Sequence, residues 1–297
     1  MAAPLTDFPW PAAGAGRVLP VWTGEIFRLG ERRVRVVAYE EADSRWSESL
    51  TALHERVAGQ NHPIDLASRR LAVATMRRLR GRPGPRLLDV GCSSGFLLDD
   101  LREALPEAGL IGADFLRGPL EKLAGRLPEV PLLQFDLRRC PLPDASVDGI
   151  TCLNVLEHID DHEGAMRHLF RILKPGGLAH VEVPAGPHLY DIYDEHLMHC
   201  RRYRRRDVIR LACSCGFQVE RATHLGCLVY PAFSLVKRRH RRLLRLPAGE
   251  KEKLVAAQIG STQRSAVLAA LFRFETAACR WIALPCGIRV VAVLRKR

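Results

Sequence analysis

The sequence predicts a doubly wound α/β fold, in which a mainly parallel sheet carries helices on both faces. Three observations support this. From Arg86 onward, short apolar runs alternate with amphipathic ones in a strand, turn, helix rhythm, as in parallel strands joined by crossover helices. The first of these strands enters a turn of small residues, Gly91-Cys92-Ser93-Ser94-Gly95, that opens directly into a helical pattern. The chain also returns to a strongly β-forming run, Gly287 to Leu294, after a long apolar and basic stretch.

The elements follow in order. Ile26 to Leu29 and Arg33 to Val37, joined by Gly30-Glu31-Arg32, read as a short hairpin. Apolar residues at helical spacing predict helices over Trp46–Val57 and Leu66–Leu79, with Pro63 and Asp65 marking the start of the second. Gly81-Arg82-Pro83-Gly84-Pro85 breaks the pattern. Strands are then predicted at Arg86–Val90, Leu110–Ala113, Leu132–Phe135, Val147–Leu153 and Leu178–Val183. Helices alternate with them at Phe96–Ala104, Leu120–Gly125 and Glu163–Leu173. A helix over Asp207–Cys213 and a strand over Phe217–Ala222 precede the long stretch.

Composition limits the alternatives. The chain has 297 residues, 47% hydrophobic and 26% charged, an ordinary globular balance that suits one large α/β domain with extensions. Charges or prolines break every apolar run before it reaches the length needed to cross a bilayer. Residues 1–20, rich in Ala, Pro and Gly but without a basic cluster or clean apolar core, are expected to be a flexible leader and not a signal peptide. The nine cysteines are scattered, with no second pair to match Cys213 and Cys215 at zinc-finger spacing; a reduced, cytoplasmic protein is expected. The formal charge of +12 is unevenly distributed. From Arg201 onward there are 22 Lys or Arg against 5 Asp or Glu, so a basic surface there is expected to face something anionic.

The segment Leu87 to Leu97 carries the strongest local signal. Only small residues let a backbone close on a ligand at such a turn, and the helix that follows offers unpaired amides. The spacing is not G-x-G-x-x-G, which counts against a dinucleotide-binding dehydrogenase. Asp114 ends the second strand and could accept hydrogen bonds from ribose hydroxyls, or be a solvated loop residue. Asp136 follows the third strand and could bond an adenine amino group, or cap the loop. Three consecutive strands ending in acidic residues raise both binding readings, because ligands of such folds sit at the carboxyl ends of the strands.

Taken together, Asp89-Val90-Gly91 to Gly95, Gly112-Ala113-Asp114, Phe135-Asp136-Leu137 and Leu142 to Asp148 resemble successive motifs of class I S-adenosylmethionine-dependent methyltransferases. Asn154-Val155-Leu156-Glu157-His158-Ile159 and Leu173-Lys174-Pro175-Gly176-Gly177 continue the series in order. The nearest likeness is to the ubiquinone and menaquinone methyltransferase-like group. The run Asp194-Glu195-His196-Leu197 with Arg201-Arg202-Tyr203 is similar to a branch acting on sugars or lipids. One departure is Ser93, which stands where the family has the middle glycine of its turn. The resemblance implies a Rossmann-like sheet whose last strand is antiparallel, and S-adenosyl-L-methionine as cofactor. It also implies roles: Gly91, Cys92 and Gly95 against the methionine part, Asp89 orienting its amino group, and Asp114 with Phe115 at the ribose. Asp136 and the amide of Leu137 would take the adenine, and Asn154 would lie near the reactive methyl.

Methyl transfer to a hydroxyl requires alignment and removal of a proton. His158 is the candidate base, since histidine titrates near neutrality; its alternative is a structural histidine at a helix start. His196, His199 and Tyr203 stand behind it. Glu157, His158, His196 and His199 would make a divalent-metal site only if the fold brought them together, and no metal is assigned on spacing alone. Lys237-Arg238-Arg239-His240-Arg241-Arg242 follows an apolar run, which suits an anionic membrane surface or a lid helix with solvated arginines; no RNA-binding signature supports a nucleic-acid partner.

The expected organisation is a leader (1–20), an N-terminal hairpin and helices (21–80), a cofactor-binding core (81–224), a basic, apolar helical insert acting as a lid (225–286) and the last core strand (287–297). The expected function is S-adenosylmethionine-dependent methylation, on oxygen, of a small-molecule, sugar or lipid-like acceptor, peripheral at the membrane where the insert meets lipid. The rivals are a catalytically degenerate cofactor-binding module and an RNA methyltransferase.

Overall fold

The computed structural model describes residues 5–14, 16–39, 62–241, 265–279 and 281–297. The predicted helix over Trp46–Val57 lies outside them, as does the middle of the insert.

The leader is packed where it is described, contrary to expectation. Leu5, Phe8, Trp10 and Ala13 are buried together with Trp22 and Phe27. The Trp10 ring meets Phe27 edge-on, with centroids 4.9 Å apart. Two aromatic side chains bury enough area to hold so short a segment down, a contribution that its Ala, Pro and Gly content conceals. Strands β1 (Val21–Trp22), β2 (Phe27–Leu29) and β3 (Arg32–Val34) form a small antiparallel sheet. The second arm of the predicted hairpin divides at Arg35, whose guanidinium donates to the Ala124 carbonyl at 3.1 Å. Beyond it, β4 (Val36–Ala38) buries Val36 and Val37 as an edge strand of the main sheet.

Helix α1 (Pro63–Met76) starts at a proline, whose fixed φ suits the first helical turn, and finishes as a 3-10 turn, Arg77–Leu79. Alternation then proceeds as predicted: β5 (Arg86–Val90), α2 (Phe96–Ala104), β6 (Gly109–Asp114), α3 (Arg117–Arg126), β7 (Leu132–Gln134), β8 (Val147–Leu153), α4 (His162–Ile172) and β9 (Leu173–Pro184). Short α5 (Ile192–His196), α6 (Arg205–Ser214), β10 (Gln218–Leu225), α7 (Tyr230–Arg241), α8 (Ala266–Ala278) and β11 (Arg289–Arg295) complete the chain.

The main sheet has the order β10–β11–β9–β8–β5–β6–β7–β4. The strands from β9 to β4 pair in parallel, and β11 lies antiparallel to both neighbours. Successive strand residues point to opposite faces. Leu88, Ile111, Leu133, Ile150 and Val181 join one core with α4 and α6, whereas Leu87, Leu110, Leu132 and Leu178 join another with α1, α2 and α3. This is a doubly wound, Rossmann-like sheet.

A third core ties the insert to α1, with Phe272 of α8 packed among Ile64, Ala67, Leu225 and Val291. Leu225 pairs with Arg289, so the insert leaves and re-enters the sheet at adjacent positions. The Cys227 and Cys286 Sγ atoms lie 3.5 Å apart at that neck. On the outside, Arg238 and Arg239 are exposed, as are Phe274, Trp281 and Ile282. Among the described residues, no helix is long and apolar enough to cross a membrane.

Candidate active site

The carboxyl ends of β5, β6, β7 and β8 open into one cavity of about 1070 Å³. Its first wall is the turn after β5. Ala113 O accepts from the amides of Gly91 (2.8 Å) and Cys92 (3.0 Å), which turns the chain off the sheet. Gly91 has φ +76°, and a Cβ there would lie 2.4 Å from Val155 Cγ2. Gly95 caps α2 at φ +72°, where a Cβ would meet Leu123 Cδ1 at 2.5 Å. Both positions therefore require glycine, and the backbone there forms a close cradle of the kind that suits a nucleoside-bearing ligand. Ser93 holds φ +43° in the same turn.

Asp114 stands at the mouth of β6. Its Oδ2 accepts from Ser93 N and its Oδ1 from Leu116 N, each at 2.9 Å, so it braces the cradle from the end of β6. Asp136 is buried and caps a short 3-10 turn, accepting from Arg138 N and Nε at 2.8 Å; the loop-cap role is thus present in its bonding, with its carboxyl still lining the cavity. Asp89 is buried and accepts from Thr151 Oγ1 at 2.7 Å. Burial pushes its carboxyl up to about 7, against the Thr151 hydrogen bond. Asn154 ends β8 at φ +54°, its amide bonded to Glu182 O at 2.9 Å.

At the other end of the cavity, Glu157, His158 and His199 converge. Glu157 is fully buried, neither carboxylate oxygen has a hydrogen-bond partner beyond its own residue among the described residues, and burial pushes it up to about 8. The His158 and His199 rings are 4.7 Å apart, edge to face. His199 Nδ1 lies 2.8 Å from Asp194 Oδ1. Arg202 Nη1 reaches both Asp194 oxygens at 3.0 Å, and Lys237 Nζ reaches Asp191 at 2.5 Å and Asp194 at 3.3 Å. Burial disfavours the ionised Asp194, but the His199 bond, Lys237 and Arg202 outweigh it and hold the carboxyl well below its usual range. Burial lowers both His199 and Lys237, against their carboxylate partners.

The cavity brings together Gly91, Asp114, Phe115, Asp136, Leu137, Asn154 and His158. Asp89, Cys92 and Gly95 line a smaller adjoining pocket of about 170 Å³ that shares Gly91 and Asn154 with it. Two second-line candidates fall away. The Tyr203 hydroxyl is used structurally, bonded to Leu156 O (3.1 Å) and His162 Nδ1 (2.8 Å). His196 stands apart from the Glu157, His158 and His199 group. Sequence reasoning missed Glu182, Arg289 and Lys237. Glu182 accepts from Ser68 Oγ and Arg289 Nη1 at 2.8 Å, and the available signal was a charge inside an otherwise apolar strand run. Lys237 belongs in sequence to a basic cluster, yet its ammonium turns inward and is 3% exposed.

The comparisons agree with this fold. Residues 88–181 match the methyltransferase domain family. A Mycolicibacterium smegmatis protein named "Probable S-adenosylmethionine-dependent methyltransferase" is 30% identical over 154 residues, 51% of this chain and 59% of its own. The demethylmenaquinone methyltransferase of Corynebacterium urealyticum is 32% identical over 127 residues, 42% of this chain and 54% of its own. The chain thus spans little more than half the length of these curated relatives. Haemonchus contortus phosphoethanolamine N-methyltransferase 2, solved in complex with S-adenosyl-L-methionine, superposes with a TM-score of 0.56 at 15% identity, over 86% of this chain and 58% of that one, a likeness of fold. Motif order, strand order and family match converge on the same segment: residues 88–181 match a methyltransferase domain, and the chain is similar there to S-adenosylmethionine-dependent methyltransferases, demethylmenaquinone methyltransferases among them.

Proposed function

We propose that the protein transfers the methyl group of S-adenosylmethionine to an oxygen of a small-molecule, sugar or lipid-like acceptor. One observation carries this reading: a single cavity joins the glycine cradle and acidic strand ends to a histidine and carboxylate cluster. When bound, the cofactor supplies a methyl carbon already activated by a positive sulfonium. The chain's own residues then have to align the partners and manage the acceptor proton.

Gly91, Cys92 and Gly95 admit the methionine part, and Asp89 orients its amino group. Asp114 and Phe115 hold the ribose, Asp136 and the Leu137 amide hold the adenine, and Asn154 lies by the reacting centre. His158, on the acceptor side, manages the hydroxyl proton. Val229, Phe233 and Phe272 of the insert line the same cavity, so the insert acts as a lid with an apolar inner face, which favours an amphiphilic acceptor. Its exposed side chains, Trp281 and Ile282 with basic Arg238 and Arg239, fit an anionic membrane surface. The demethylmenaquinone methyltransferase relatives are compatible with such an acceptor.

The deciding experiment is calorimetry with S-adenosylmethionine, followed by transfer of labelled methyl to a panel of quinols, sugars and lipids. Binding with transfer to at least one hydroxyl acceptor is expected, and His158→Ala should cut turnover ~10²–10⁴-fold with cofactor binding retained. Absence of cofactor binding by the folded protein refutes the proposal.

A further inference from the structure

The acceptor end of the cavity holds more chemistry than a lone base requires. Glu157 is a fully buried carboxylate whose two oxygens find no partner beyond their own residue among the described residues. Such a group either keeps its proton or, when ionised, is costly unless something positively charged completes it. Beside it stand His158 and His199, and one ligand atom from each of the three residues lies within 4.8 Å of the other two. The loops that carry them are fixed to each other: the Cys200 amide donates to Glu157 O at 2.7 Å and the His199 amide to Asp194 O at 2.8 Å.

We propose that Glu157, His158 and His199 bind a divalent first-row metal ion, zinc by donor chemistry, in the acceptor half of the cavity. Two imidazoles and one carboxylate are a zinc donor set that leaves a coordination position open. The cavity is the space onto which that position opens. The surroundings support the assignment. Asp194 Oδ1 sits 2.8 Å from His199 Nδ1, so an Nδ1–H donated to it leaves the Nε2 lone pair for an ion, the outer-shell arrangement common to metal-bound histidines.

The site stands on this geometry whether or not the methyl-transfer reading holds; only its role rests on that reading. With the ion bound, His158 would act on an acceptor hydroxyl as a ligand, through the metal, instead of as a separate base.

Chelator-stripped full-length protein is titrated with Zn²⁺ alone, by calorimetry against a competing chelator. One ion per chain is expected. Glu157→Gln and His199→Ala should each weaken binding at least tenfold. Asp194→Asn should weaken it by roughly tenfold to a hundredfold through His199, and His196→Ala should leave it unchanged. Substitution of the wild type with Co²⁺ should give visible d–d bands without a thiolate charge-transfer band. Failure of the stripped wild type to take up one equivalent overturns the site, as does wild-type affinity in both ligand variants or a thiolate band, which would implicate Cys200. If Glu157→Gln melts early, His199→Gln and the wild-type cobalt spectrum decide alone. S-adenosylmethionine binding, measured on the same stripped protein, separates failure of the metal site from failure of the methyl-transfer reading.

Discussion

Replacing Asp89 with asparagine should make the protein more stable at high pH while weakening its hold on the cofactor. Asp89 is 3% exposed at the end of β5, and burial raises its carboxyl from an ordinary 3.8 to about 7. Between those values the unfolded chain has released this proton and the folded chain has kept it. The unfolded state then binds fewer protons, so this group's contribution to stability falls as pH rises from 3.8 and levels off above 7. Across that gap the cost reaches on the order of 4 kcal/mol. Asparagine has the same shape, and its amide oxygen still accepts from Thr151, but it carries no proton to lose. Urea unfolding of wild type and Asp89→Asn at acid, neutral and mildly alkaline pH tests this, because the difference between the two cancels every unrelated titration. The variant should match wild type near the acid end and gain several kcal/mol at the alkaline end. A pH-independent difference, or a variant that loses stability as pH rises, refutes the reasoning. Cofactor affinity should run the other way, rising with pH through 7 in the wild type alone, where the ionised carboxylate meets the methionine amino group.

Asp114→Ala should weaken S-adenosylmethionine binding by about 1–3 kcal/mol; unchanged affinity in calorimetry, with the melting temperature checked alongside, would remove Asp114 from the ribose site. Ser93→Gly should stabilise the fold, since a left-handed serine costs roughly 1–2 kcal/mol and the added chain entropy of glycine returns only part of that; a lower melting temperature would contradict it. In sedimentation with vesicles, the protein should follow anionic lipid at low salt and release as salt rises, with Trp281→Ser binding less; equal binding to neutral and anionic vesicles would refute the membrane surface.

The fold was legible because its signals are local. Period-two alternation in Leu87 and Leu88, or Leu132 and Leu133, becomes burial on opposite faces. A turn that needs small residues announces itself at Gly91 and Gly95. The proposed cofactor half is legible for the same reason, its residues lying at or just after strand ends. The acceptor half was not. His199 faces Glu157 only because the loop after α5 folds back on the loop after β8, and Lys237 enters from a helix outside the sheet; neither contact has a sequence period. The packed leader escaped notice because two aromatics in a run of Ala, Pro and Gly outweigh the average of their neighbours.

Adjacent pairing of Leu225 and Arg289 gives the insert the standing of a long hairpin loop. Phe272 packs against Leu225 and Val291 of those two strands, so a replacement segment has to cover that small core, but closing such a loop costs only ~0.6 kcal/mol more for each doubling of its length. Related chains could therefore exchange this segment wholesale, or lose most of it, while β10 and β11 remain paired and the glycine cradle is untouched. Phe233 and Phe272 belong to the exchangeable part, whereas Asp114 and Asp136 belong to the fixed part. Substrate range can then diversify by recombination at a two-residue neck, without renegotiating how the cofactor is held. A graft that replaces residues 227–286 with a short turn should leave a cofactor-binding domain that is less stable, because Phe272 and Lys237 no longer meet their buried partners, and whose preference among acceptors has been erased.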